Sequence, residues 1–282
     1  MAEGEYTSMH ALYSVAPDMV PQPLGWGTLE ADANSHFFLC EYVDLAEEIP
    51  DPMSLCKKLA DLHRKSITMS PNGMFGFEVT TCNGTFPQDN RWNESWEAFF
   101  AQQMEGAFEA EQEVHGLSED YQRLFPALYE KVIPRLLRPL ETGENTLKPA
   151  LIHGENIITE ICIMLMVKSG DVWDGNVSFH VATDESDSLA HDFVTSMDVE
   201  GLTDLGPTST TPAHFGDTMS VSNPIIAAEK RILTVRRIVD DLHNWRATRF
   251  KIRKTFVREY FKNFPMSPPQ EDWDDRNLLY SM

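Results

Sequence analysis

The sequence has few cysteines, no membrane-length apolar run and a shortage of basic residues. Its four cysteines, Cys40, Cys56, Cys82 and Cys162, contain no Cys-x-x-Cys pair. They therefore predict reduced thiols in a cytoplasmic protein, not a disulfide framework or a zinc site. The apolar run at residues 157–167 is too short to span a bilayer. The polar, acidic N-terminus does not have the pattern of a signal peptide.

The charge balance narrows the classes of partner. Lysine and arginine total 23 against 44 aspartates and glutamates, which gives a net charge of -21. We therefore expect no binding to nucleic acid or to an anionic membrane. Many of the basic residues lie at 225–264. That run is compatible with RNA or a phosphate-bearing partner, but a solvated helix face is the favoured interpretation.

The chain is organised around residues 150–178. His153-Gly154 ends its first half, and after an apolar interruption the second half contains Asp171 and Asn176. Their spacing matches a kinase catalytic loop, in which the Asp accepts a proton from the attacking hydroxyl and the Asn binds magnesium. A calcium loop is excluded because Asn176 stands where that loop needs glycine. The alternative is that Asp171 and Asp174 only cap a turn.

The residues flanking this spacing carry a family resemblance. His153-Gly154 followed by Asp-Val-Trp-Asp-Gly-Asn resembles the catalytic loop of the fructosamine-3-kinase family. That family, the ketosamine or protein-ribulosamine kinases, is related to aminoglycoside phosphotransferases and to protein kinases. Removal of residues 155–170 would restore an uninterrupted match. The interruption therefore has the form of an insertion. One hypothesis is a translated retained intron; the other is a true insertion looped out on the surface, against which its β-branched and apolar content argues.

A second match lies at residues 74–100. Phe-Gly-Phe, Pro-Gln-x-Asn-x-Trp and Trp-x-x-Phe-Phe follow one another in this segment. It resembles the part of fructosamine-type kinases that separates them from aminoglycoside kinases. Trp96, Phe99 and Phe100 have helical spacing, which favours burial in a core over contact with a ligand. Trp92, in a loop, is the stronger candidate for a pocket residue.

Periodicity alone predicts a helix-rich α+β protein. We expect a buried strand at 36–43, turns at 21–27, a long loop or disordered segment at 184–224, and helices at 4–15, 52–65, 94–110, 119–137 and 225–264. His63, on the second of these helices, is expected at the helix surface.

The resemblance implies an α+β, protein-kinase-like fold. Residues 1–45 would be a remnant of the N-lobe and hinge, with a truncated N-lobe sheet. Residues 46–282 would form the helical C-lobe. ATP and Mg²⁺ are the implied cofactors. The family's ATP-binding lysine strand and phosphate-covering hairpin are expected before the first helix, and the sequence does not contain them.

The resemblance also assigns roles to individual residues. Asp171 is implied as the catalytic base, Asn176 as a metal ligand and His153 as a scaffold of the loop. Trp173 and Trp92 would line the sugar pocket. The residues implied in nucleotide binding are Glu5, Glu41 and Tyr42. The second metal-binding aspartate is left open, with Asp187 and Asp192 as candidates by position.

Two functions are therefore expected from the sequence. The first is ATP-dependent phosphorylation of the sugar 3-hydroxyl of ketosamines on glycated lysine side chains or small molecules, which repairs glycated protein. The alternative is a catalytically impaired, kinase-like binding or scaffold protein, which the missing lysine strand favours.

Overall fold

The computed structural model describes residues 1–42, 50–83, 86–143, 145, 147–153 and 254–280; it describes the backbone alone for 177–182, 235–237, Asn83 and His153. The strands within these ranges are β1 (Pro23–Leu29), β2 (Asp32–Glu41), β3 (Cys82–Asn83), β4 (Phe86–Pro87), β5 (Leu151–His153), β6 (Val177–Ala182) and β7 (Val235–Arg237). The α-helices are α1 (Ala2–Val15), α2 (Pro52–Ser66), α3 (Trp96–His115), α4 (Glu119–Ala127), α5 (Ile133–Leu137), α6 (Lys254–Asn263) and α7 (Trp273–Tyr280). A π-helix, Leu128–Val132, joins α4 to α5.

The largest described sheet has the order β1-β2-β6 and is antiparallel throughout. β1 and β2 form a hairpin in which Leu29 lies opposite Asp32. β6 pairs with the other edge of β2, with Val177 opposite Glu41. Helix α1 packs on β1 and β2. The Tyr6 ring meets the edge of Phe38 at a centroid distance of 6.3 Å.

The expectation of a turn at 21–27 is wrong, because β1 runs through it. Pro23 opens the strand, a position that tolerates proline. Gly27 lies so close to the Phe37 ring that an added Cβ would stand 3.0 Å from it. Pairing with β2 thus overrides the local turn signal, and the expected strand at 36–43 is confirmed up to Glu41.

Helix α2 has a complete N-terminal signal. The Asp51 carboxylate accepts the Ser54 amide at 2.9 Å, and Pro52 occupies the first turn, where no amide donor is needed. Leu55 and Leu59 are buried on its inner side. The predicted helix at 52–65 is confirmed.

Two hydrophobic clusters form the core of the described part of the chain. The first joins α1, β2, α2 and α6; the second joins α3, α5 and α7. Strand β5 lies between them, because Leu151 belongs to the first cluster and Ile152 to the second. Successive side chains of a strand point to opposite faces, so this short strand connects the two clusters.

Helix α3 starts with an unusual cap. Ser95 accepts the Ala98 amide at 3.2 Å, and the Glu141 carboxylate accepts the amides of Trp96 at 2.5 Å and Glu97 at 3.2 Å. A carboxylate at a helix N-terminus is favoured by the helix dipole. This cap fixes the aromatic side chains that follow it.

The helical prediction for 225–264 is confirmed at α6 and wrong at β7. β7 pairs antiparallel with β5, and Leu151 lies opposite Arg237. Pairing with the distant strand β5 therefore gives these residues their extended conformation. Local periodicity in the sequence carries no information about such a pairing. The expectations for 155–170 and 184–224 concern segments that lie outside the described residues.

Candidate active site

Strand β5 leads directly into the predicted catalytic loop. Its Leu151 amide donates a hydrogen bond to Ser66 Oγ at 2.9 Å, and that hydroxyl donates to the His63 carbonyl at 3.1 Å. Leu151 and Ser66 are buried. The end of α2 therefore fixes the strand from one side, and the backbone of β7 pairs with its edge.

His153, the expected loop scaffold, is the last residue of β5 and pairs with Val235. Asp171, Trp173 and Asn176 lie outside the described residues, so their roles stay predictions. The structure does bring two predicted regions together. Val177, the residue after Asn176, pairs with Glu41 on β2. The backbone just past the expected metal ligand thus lies beside the expected nucleotide-binding strand.

Glu41 and Tyr42 occupy the end of β2. The Glu41 amide donates to the Gln22 carbonyl at 2.8 Å, and the Gln22 amide donates to the Glu41 carboxylate at 3.1 Å. The amide donor of Glu41 is therefore already used within the protein. Tyr42 follows β2 and is 38% exposed.

Glu5 lies in the first turn of α1 and is half-buried. The turn around it is packed closely on the 74–100 segment. A Cβ on Gly4 would stand 2.6 Å from the Thr80 carbonyl oxygen. Only glycine permits this approach without a backbone shift, which fixes the start of α1 against that segment.

The 74–100 segment is closed by a short antiparallel bridge. The Phe75 amide donates to the Asn93 carbonyl at 2.7 Å, and the Asn93 amide returns a bond of 2.8 Å. Gly76, at φ 141°, fits under Trp92, where an added Cβ would stand 3.0 Å from Trp92 Cα. Trp92 itself is half-buried. Its expected role in a sugar pocket stays a prediction.

The Pro-Gln-x-Asn motif builds a buried polar network. Asn90 Nδ2 donates to Thr81 Oγ1 at 2.8 Å and to the Val79 carbonyl at 2.9 Å, and Thr81 Oγ1 donates to Gln88 Oε1 at 3.2 Å. Gln88 and Asn90 are buried. These amides hold the loop's two sides together.

The aromatic stripe after the motif belongs to the core, as the helical spacing predicts. Trp96 and Phe99 are fully buried, and Phe100 is 6% exposed. Trp96 Nε1 donates to the Tyr280 hydroxyl at 3.0 Å, which joins α3 to α7. These rings therefore support the segment from beneath.

The surface position expected for His63 is wrong. Its side chain is buried between α2 and α6, and Nδ1 lies 2.8 Å from the Tyr260 hydroxyl. Burial lowers the pKa of His63 from 6.5 to about 3, so the ring is neutral in the folded protein. The signal for burial was present in the sequence, since His63 follows the buried Leu55 and Leu59 at four-residue intervals.

The described residues include few other groups that could act as nucleophiles or metal ligands. Burial raises the pKa of the Cys56 thiol to about 12, which makes it a poor nucleophile. Within the described ranges, no group of three or more His, Cys, Asp or Glu side chains could hold a metal ion. No described helix is long and apolar enough to cross a membrane.

The mixed helix-and-strand fold, with β5 leading into the loop and the 74–100 segment beside α1, is that of a kinase-like protein. The chain belongs to the fructosamine kinase family, whose model matches residues 1–192.

Two named relatives support this assignment. Over 180 residues the chain is 26% identical to the chloroplastic protein-ribulosamine 3-kinase of Arabidopsis thaliana, covering 64% of this chain and 47% of the relative. Over 199 residues it is 29% identical to the ketosamine-3-kinase of Mus musculus, covering 63% of this chain and 56% of the relative. The chain thus spans about half the length of the curated relatives it matches.

Solved structures share the fold. A candidate fructosamine-3-kinase of Thermobifida fusca superposes with a TM-score of 0.55 at 18% identity, covering 99% of this chain and 69% of that protein. A second, from Haemophilus somnus, gives 0.52 at 16% identity with the same coverage. At these identities the likeness establishes the fold alone.

Proposed function

We propose that this chain is an ATP-dependent kinase that phosphorylates the sugar 3-hydroxyl of protein-bound ketosamines and so repairs glycated protein. The observation that carries the proposal is the family match over residues 1–192. This match includes both halves of the split loop and the 74–100 segment. The named relatives are a ribulosamine 3-kinase and a ketosamine-3-kinase.

Within this proposal, Asp171 accepts the proton of the sugar hydroxyl. The amide oxygen of Asn176 is a hard ligand of the kind that Mg²⁺ accepts, and the metal would neutralise charge on the phosphates. His153 anchors the loop through β5. Trp92 and Trp173 form walls of the sugar pocket.

The nucleotide side of the proposed site belongs to residues 1–45, and residues 46–282 form the lobe that holds the sugar. Glu41 and Tyr42 contact the base of ATP, and Glu5 supports the phosphate side. The Glu41 amide donates to the Gln22 carbonyl, so a base contact at Glu41 would not use this amide. Cys40, Cys56 and Cys82 are free thiols, which supports a reducing, cytoplasmic setting.

The test is phosphate transfer by the full chain from magnesium-ATP to a ribulosamine-lysine peptide, followed by mass spectrometry. Asp171→Asn should lower turnover by about a hundredfold or more, the usual contribution of a general base. Asp174→Asn is the matched control and should retain turnover. Near-full activity of Asp171→Asn would remove that residue from the role.

The second candidate function is a kinase-like binding or scaffold protein. The family resemblance expects an ATP-binding lysine on a strand before α1, and the described strands β1, β2 and β6, which all follow α1, contain no lysine that could take its place. Positioning and charge neutralisation supply most of the catalysis of phosphoryl transfer, so we expect weak binding of magnesium-ATP. Micromolar affinity by calorimetry would favour the enzyme instead and would mean that other basic residues replace the lysine.

A further inference from the structure

A cavity of about 340 Å³ lies where three connecting segments meet, and this volume is within the range of small-molecule sites. Its walls are Ile67, directly after α2, residues between 140 and 148, and residues 264–268, directly after α6. The second of these segments leads into the start of β5, whereas the predicted catalytic loop follows the end of that strand. None of the described residues that line the cavity belongs to the predicted active site.

The lining of the cavity is mainly apolar. Seven of its ten residues are hydrophobic or proline. Leu140 is 2% exposed and belongs to the second hydrophobic cluster, and the half-buried Ile67, Leu147 and Phe264 pack against that cluster. These side chains therefore keep apolar surface that the core does not cover. Apolar surface in a concave site favours a ligand with an apolar body.

Hydrogen bonds hold two walls of the cavity in place. The Leu147 amide donates to the Leu140 carbonyl at 3.2 Å, which closes the loop before β5. Arg276 of α7 is fully buried, and its guanidinium donates to the carbonyls of Ser267 at 3.1 Å and Pro269 at 2.8 Å. The cavity is thus formed by the folded chain itself. A preformed site lowers the entropic cost of binding a ligand.

One cation stands at this apolar cavity. Among the described residues that line it, Lys148 alone is charged; its side chain is exposed and forms no ion pair with a described residue. The nearby Glu141 carboxylate is used at the start of α3, where it accepts the Trp96 amide. Glu144 lies outside the described residues. Salt screens exposed charges more than about 8 Å away, so the local cation decides which head group is favoured.

We infer that this cavity binds a small carboxylate with an apolar body. The hydrocarbon part would contact Leu140, Leu147 and Phe264, and the carboxylate would pair with Lys148. The cavity has the volume of about eleven water molecules in the liquid, which fits a ligand of roughly ten non-hydrogen atoms. A phosphate ester fits less well, because phosphates are usually held by several cations or backbone amides. The inference stands independently of the proposed phosphate transfer.

The first experiment is calorimetric titration of the full chain with octanoate, which has the required size. We expect saturable binding of one octanoate per chain. Octanol and octylamine have the same apolar body without the carboxylate and should bind at least about tenfold more weakly. Butyrate should also bind more weakly, because it buries fewer methylene groups. Equal affinity for octanoate and octylamine, or octanoate binding that does not saturate, would overturn the inference.

The second experiment tests the cation. Lys148→Met should weaken octanoate binding about tenfold, in line with a hydrogen bond to a charged group, and should leave octanol binding unchanged. Lys131→Met is the matched control, since Lys131 is exposed, lies outside the lining and forms no ion pair with a described residue. The control removes the same charge and should bind octanoate normally. The same octanoate affinity in both variants would contradict the role of Lys148.

The third experiment locates the ligand. Octanoate should slow hydrogen exchange in residues 140–148 and 264–268; slowing confined to other segments would place the ligand elsewhere and overturn the inference. Leu147→Trp should fill the cavity and abolish binding of both octanoate and octanol. Leu117→Trp, at a side chain that is 73% exposed, is its control and should bind both. If Leu147→Trp does not fold, the exchange pattern and the comparison of the two lysine variants still decide.

Discussion

Nδ1 of His63 and the hydroxyl of Tyr260 lie 2.8 Å apart, and they join α2 to α6 across 197 positions of sequence. Nε2 of the same ring is buried, and no hydrogen-bond partner for it lies among the described residues. A proton added to this ring would create a buried charge, which is why desolvation lowers its pKa to about 3. Folding therefore keeps His63 neutral.

This relationship makes stability depend on pH with a definite sign. The unfolded His63 binds a proton below about pH 6.5, whereas the folded ring does not until about pH 3, so acid favours unfolding between these values. Lowering the pH from about 7 to about 5 should reduce the free energy of unfolding by roughly 2 kcal/mol through this residue alone. Urea unfolding at both pH values measures the loss. The His63→Gln variant has no titrating side chain at this position, so between the two pH values its free energy of unfolding should fall by about 2 kcal/mol less than that of the unchanged protein. An equal fall in both proteins would contradict the lowered pKa of His63.

The bond between Leu151 and Ser66 predicts a second effect. Ser66→Ala leaves the buried Leu151 amide without its acceptor, at a cost of about 1–3 kcal/mol. Thermal unfolding should detect the loss, and hydrogen exchange of the Leu151 amide should accelerate. Ser54→Ala, at an exposed position of the same helix, should change neither. Unaltered exchange at Leu151 in Ser66→Ala would show that the hydroxyl does not hold β5.

A comparison of two glycines separates the destabilisation caused by close contacts from that caused by backbone strain. Gly76 and Gly73 both have positive φ, but an added Cβ meets the Asn90 carbonyl at 2.8 Å only at Gly76, and nothing within 4 Å at Gly73. Gly73→Ala should cost about 1 kcal/mol from strain. Gly76→Ala should cost more, about 2–4 kcal/mol, because the Phe75–Asn93 bridge must also shift. Equal melting temperatures for the two variants would be inconsistent with this packing.

The interruption at 155–170 gives a fourth prediction. Gly154 and Gly170 are the same residue type, so deleting 155–170 restores His-Gly-Asp in frame. A displacement of about 1 Å in a catalytic group can cost a hundredfold in rate. We expect the deletion to raise solubility, melting temperature and any kinase activity when both forms are expressed in parallel. A deletion form that melts lower would mean that the segment belongs to the fold.

Much of the architecture was predictable because its causes are local. Helix α2 and the aromatic stripe of α3 follow from residues a few positions apart, and the structure confirms both. β1 and β7 were missed because each is formed by a distant partner strand. His63 was misplaced because the usual exposure of histidine outweighed its position on the apolar side of α2.

The candidate site also contains parts that local sequence predicts and parts that it does not. The Gln88 and Asn90 motif was visible in sequence, and its network is now described. Asp171 and Asn176 rest on spacing and family resemblance, since they lie outside the described residues. The pairing of Val177 with Glu41 had no local signal. Contacts between such distant segments are decided by tertiary packing.

The position of β5 between the two clusters has a consequence for cooperativity. Leu151 and Ile152 are consecutive, yet each is buried in a different cluster. Neither cluster can lose this strand without exposing apolar surface of the other. A destabilising substitution in either cluster should therefore lower the stability of both clusters. The described part of the chain should melt in one calorimetric transition, not as two separable halves.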